Sequence, residues 1–111
     1  MTKLEYYELL VKTSLEGGFP ARVSEGMASV CKYRCEDGKK CAIGLIMPDG
    51  FYRPDMEGRA VNRVTGHTIP DWFPEGVDMD QVMEIQAAHD GMTIIWRHER
   101  FVGLLKNILR I

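Results

Sequence analysis

CKYRCEDGKKCAIGLIMPDGFYRPDMEG, Cys31 to Gly58, holds all three cysteines of the chain, together with Gly38, Gly44, Gly50, Pro48 and Pro54. Ser29 to Arg34 reads as a strand, and Glu36-Asp37-Gly38 is a turn signal that returns Lys39 to Cys41 beside it. In such a hairpin Cys31, Tyr33 and Cys35 share one side, because strand side chains alternate. Ala42 to Met47 is apolar on nearly every side, which suits a buried short helix or a central strand, and Pro48 ends it. Asp49-Gly50 is a turn, and Pro54 opens a further short helix containing Met56, which Gly58 interrupts before Arg59 to Val64 supply one or two further turns. The expected fold is therefore a small single α+β domain over residues 1–111, mainly helical with a two- or three-stranded antiparallel hairpin element.

Outward from this stretch the patterns are helical. Thr2 and Glu5 have capping-box spacing, and Leu4, Tyr7, Val11 and Leu15 recur at helical intervals, predicting a helix over 3–16 with those four residues buried. Gly17-Gly18 and Pro20 stop it. Phe19 to Gly26 is ambiguous between periods. Residues 65–77 read as a loop pinned by Trp72 and Phe73. Asp78 and Gln81 form a second cap before Val82, Ile85 and His89, which share a helical face. Thr93 to Arg110 is the longest helical candidate, with Ile94, Phe101, Leu105 and Ile108 as its apolar stripe. Gly103 within it costs about 1 kcal/mol relative to Ala, a cost expected to be offset by close packing.

The 111 residues are 45% apolar and 27% charged, as in an ordinary globular chain that folds unaided. A formal net charge of -2 argues against a generally basic, phosphate-binding protein. Arg97, Arg100, Lys106 and Arg110 still leave a nucleic-acid module as an alternative, although cations near a helix end also complement its dipole. Met1 to Glu16 alternates charged and apolar residues, so no export signal and no membrane span are expected. Three cysteines in that context imply a reducing, cytoplasmic setting. No cofactor is expected.

The run Cys31-x-Tyr33-Arg34, Gly38, Cys41-Ala42-Ile43-Gly44, Ile46-Met47-Pro48-Asp49, Tyr52, Pro54 and Glu57-Gly58 resembles a family of small uncharacterised bacteriophage proteins. A later Gln86, His89, Asp90 matches that family's Gln-x-x-His-Asp segment. The likeness covers about a quarter of the chain plus this short match; Cys35 lies outside it. It implies a phage origin, a shared fold and a bacterial cytoplasm as the setting, and no particular activity.

Three chemistries are open to these residues. Cys41 at a helix start, with His89 as base and Asp90 or Asp49 as orienter, would make a cysteine nucleophile for acyl or related group transfer. The plainer account makes Cys41 a small buried hydrophobe and His89 a hydrogen-bonded core histidine. Cys31, Cys35 and Cys41 with His67 or His89 would supply zinc with sulfur and nitrogen, at spacings unlike a zinc ribbon. Tyr33, Arg34, Asp49, Tyr52, Trp72 and Phe73 offer aromatic and charged anchors for a macromolecular partner. Arg34, Asp49 and Glu57 alternatively pair to tie the turns down. The leading expectation is a non-enzymatic accessory protein that binds a host macromolecule, a host protein above all, and blunts a defence or redirects an enzyme.

Overall fold

The chain is described by a computed structural model over residues 1–19, 33–34, 38–57, 59–90 and 97–111. Among the described residues four α-helices carry the fold: α1 Lys3–Leu15, α2 Val61–Val64, α3 Met79–Asp90 and α4 His98–Leu109. A 3-10 turn spans Pro54–Met56. No strand occurs among the described residues; Thr2 and Glu75 form an isolated parallel bridge, with the Glu75 N–H donating to Met1 O at 2.9 Å.

The caps read from the sequence are present. The Thr2 hydroxyl accepts from Glu5 N at 3.1 Å, and Glu5 Oε1 accepts from Thr2 N at 2.9 Å. These bonds hold the Glu5 carboxyl below its ordinary pKa. Asp78 and Gln81 exchange the same pair of bonds at 2.8 and 3.0 Å before α3. Gln81 Nε2 also donates to Ile108 O at 3.0 Å, tying the start of α3 to the end of α4.

The buried face of α1 is Tyr6, Leu10 and Ser14. It is not the predicted stripe: Leu4 is 52% and Leu15 72% exposed, and Tyr7 and Val11 are only partly buried. Hydropathy spacing misleads here because the buried face carries polar atoms with specific partners. Tyr6 Oη donates to Ala42 O at 2.8 Å, and Ser14 Oγ lies 2.8 Å from His98 Nδ1. A buried hydroxyl that finds its partner is admitted to a core that an unpaired one is not.

The expected α+β class is overturned. Residues 29–32 and 35–37 lie outside the described set, as do Pro20 to Gly26, but the described ends of the supposed hairpin are not extended pairs. Lys39 to Cys41 form no strand. The N–H groups of Tyr33 and Arg34 both donate to the Glu57 carboxylate, at 2.8 and 3.1 Å. Consecutive amides of a pleated strand point to opposite sides, so two neighbours serving one carboxylate require a bend instead. A side chain has taken the donors that a partner strand would have used.

Ala42 to Met47 forms the helical alternative. Leu45 N donates to Cys41 O at 3.0 Å and Met47 N to Ile43 O at 3.2 Å, which winds a buried turn. Its Cys41, Ala42 and Ile43 join Tyr6 and Leu10 of α1, Val82 and Ile85 of α3, and Phe101, Leu105 and Leu109 of α4 in one core cluster. Helix α4 packs against both α1 and α3, and α2 packs against α3.

Arg97 has extended backbone angles at the N-cap of α4, so no continuous helix runs through it from Thr93. The stripe is Phe101, Leu105 and Leu109, with Ile108 half-buried; Ile94 lies outside the described residues. Gly103 is exposed, and a Cβ there would meet nothing within 4 Å. Close packing is therefore not its reason. Replacing Gly103 with Ala is expected to raise the urea unfolding free energy by about 0.5–1 kcal/mol; a loss of stability would show that the position is packed after all.

Candidate functional site

The quoted stretch folds around one carboxylate. Glu57, just after the Pro54–Met56 turn, accepts from Tyr33 N, Arg34 N and, at 2.7 Å, the Tyr52 hydroxyl. Tyr33 is buried, and its own hydroxyl donates to Arg59 O. Its carbonyl lies so close to Gly44 that any Cβ at that position would overlap it. Glycine is required there for approach, not for an unusual backbone angle.

Arg34 crosses the same turns. Its Nη2 donates to Met47 O at 3.2 Å and pairs with Asp49 Oδ1 at 2.7 Å. The guanidinium sits 4.6 Å from the centre of the Tyr52 ring, in cation-π geometry. The Asp49 side chain is 90% exposed, so that ion pair contributes at most about 1 kcal/mol. Of the three charges weighed as tying the turns down, Arg34 and Asp49 pair as foreseen. Glu57 instead serves backbone amides and a phenol.

The aromatic candidates divide by burial. Phe73 is in the core, while Tyr52 and Trp72 are half-buried. Trp72 is held by Phe51 at 5.2 Å and Phe73 at 4.9 Å between ring centres. Phe51, Trp72 and Phe73 thus form one ring group, next in the chain to Tyr52. Among the six partner-binding candidates, Arg34, Asp49, Tyr52 and Trp72 reach the surface; Tyr33 and Phe73 support them from below.

Two of the catalytic candidates, Cys41 and His89, are enclosed. Cys41 is 0% exposed and its Sγ accepts from Gly44 N at 3.4 Å. The neighbouring Tyr6 phenol has its pKa raised, mainly by burial and further by the proximity of Cys41. His89 is 5% exposed and stands edge-on to Phe19 at 5.0 Å. Asp90 ends α3, and its side chain is outside the described set. Asp49 is engaged by Arg34 instead of orienting a histidine.

For zinc, Cys31 and Cys35 lie outside the described residues, and His67 is exposed on a left-handed turn after α2, with φ 64°. Among the described residues no group of three His, Cys, Asp or Glu side chains could hold a metal ion. No helix among them is long and apolar enough to cross a membrane.

Glu57, Gly44 and the Arg59 carbonyl are the members of the arrangement whose roles the sequence did not disclose. Pro54 and Tyr52 were the available signal: a fixed short turn that returns an acid beside a phenol. Comparisons with protein-family models, curated proteins and solved structures found no match to this chain.

In a variant whose Cys31 and Cys35 are replaced by Ser, the Cys41 thiol is expected to react with an aromatic disulfide reagent far more slowly in the native protein than in urea. Equal rates would place this thiol at the surface and restore the case for a nucleophile.

Proposed function

We propose that the protein acts by binding another protein through the surface that carries Asp49, Tyr52 and Trp72. The observation that carries this is the immobilisation of Tyr52: Glu57 fixes its hydroxyl and Arg34 covers one face, yet the ring remains half-exposed. Trp72 is braced in the same way by two aromatic neighbours. Aromatic and arginine side chains are the residues most often responsible for binding energy at protein interfaces. Rings already fixed in place lose little further entropy on association. Asp49 supplies an exposed charge at the rim, where it sets partner choice and encounter rate more than affinity.

The resemblance to small bacteriophage proteins supports a bacterial host protein as the partner class, with inhibition or redirection of that partner as the outcome. The cysteine-nucleophile alternative requires Cys41 to meet a substrate, and the native fold encloses that side chain.

The test compares proteins retained from host lysate by immobilised wild type with those retained by Trp72→Ala and Asp49→Ala, each first shown by circular dichroism to be folded. A retained protein is then purified and titrated. Binding weakened at least about tenfold by Trp72→Ala, equivalent to about 1.4 kcal/mol, is expected. Identical retention and affinity for all three proteins would overturn the reading.

A further inference from the structure

Helix α4 presents a second surface that shares no residue with the first. Arg97, Arg100, Lys106 and Arg110 are all exposed, with Glu99 as the one acid of the exposed face. Among the described residues none of these cations enters an ion pair, and the exposed acids Asp80 and Glu84 of the adjacent α3 form none with them. The whole chain has a formal net charge of -2, so the positive charge of α4 is segregated from an acidic remainder.

Helix electrostatics explains only half of this set. Lys106 and Arg110 stand at the negative end of the macrodipole, where cations are favoured. Arg97 is the N-cap and Arg100 lies in the first turn, where the helix end is positive and cations are disfavoured. Gly103 adds a second local cost with no described atom within 4 Å of its would-be Cβ. Both features oppose helix stability, so the cations and the glycine of this face are not there for the sake of the helix itself.

Their layout has a definite form. At 3.6 residues per turn, Gly103 and Asn107 run along the midline of the exposed face, Arg100 lies to one side, and Lys106 lies to the other beside Glu99, while Arg97 and Arg110 cap the two ends of the helix. The apolar side, Phe101, Leu105 and Leu109, is buried in the core and cannot insert into a bilayer. The exposed face carries no aromatic ring on which an unpaired base could stack. The A-form major groove is too deep and narrow for side chains to read. The B-form major groove, about 12 Å wide, admits a helix of about 10–12 Å diameter.

We infer that α4 seats in the major groove of duplex DNA, its glycine-centred midline toward the groove floor and its flanking cations on the phosphates of the two rims. The guanidinium fork of Arg100 and Arg110 suits phosphate oxygens. Repulsion between DNA and the acidic remainder leaves α4 as the face that approaches.

The experiment is fluorescence anisotropy of a labelled mixed-sequence DNA duplex titrated with the full chain across a salt series. Binding at low salt is expected, with log K falling against log salt at a slope of about -3 to -4 for up to four phosphate contacts. Removing one contact lowers that slope by about 1. Arg100→Glu places an acid at the positive end of the helix and is expected to leave the melting temperature unchanged or raised while weakening DNA binding. Asp49→Ala leaves DNA binding unchanged, so failure of the protein-binding surface does not touch this test. Absence of binding at low salt would overturn the inference. So would binding unaffected by Arg100→Glu, or tighter binding to single-stranded DNA, duplex RNA or phosphatidylserine vesicles than to the DNA duplex.

Discussion

The carboxylate of Glu57 is the constraint from which the middle of the structure follows. It gathers two consecutive amides, Tyr33 and Arg34, and the Tyr52 hydroxyl from points separated by up to 24 residues of chain. Backbone donors in a partly buried bend need an acceptor, and this acid supplies it in place of a second strand. Because the acceptor is charged, each bond is stronger than its neutral counterpart. The bend at Tyr33 is what brings its carbonyl down onto Gly44, and Gly44 in turn belongs to the buried turn after Cys41.

That turn is the link to the helices. The Tyr6 hydroxyl of α1 reaches the Ala42 carbonyl, and Cys41, Ala42 and Ile43 enter the same core as the buried faces of α3 and α4. A local device made from short-range turns is thereby coupled to long-range packing. The same device fixes parts that reach solvent: Arg34 is drawn over Tyr52 and out to Asp49. The surface is ordered because the interior beneath it is hydrogen-bonded.

Local chemistry was legible in the sequence where a residue acts on its near neighbours. Thr2 with Glu5, Asp78 with Gln81, and Pro54 opening a short turn all do what their spacing implies. Val82, Ile85 and His89 are buried along one face of α3 as their period requires. The failures share a cause. The stripe of α1 was assigned by hydropathy, whereas Tyr6 and Ser14 are buried because distant groups, Ala42 and His98, complete their hydrogen bonds. The expected hairpin met the same difficulty, since Glu57 lies far along the chain from the amides it captures. Cys41 drew attention as a reactive group and proves to be an enclosed one; thiol chemistry is visible in a sequence, but enclosure is decided by the fold.

The urea unfolding free energy of Glu57→Ala tests the central claim most directly. Deleting the acceptor strands two amides and a phenol, and the account predicts a loss of about 2–4 kcal/mol. A change within about 0.5 kcal/mol, the range of an ordinary surface substitution, would contradict it and leave the middle of the chain without its organising contact.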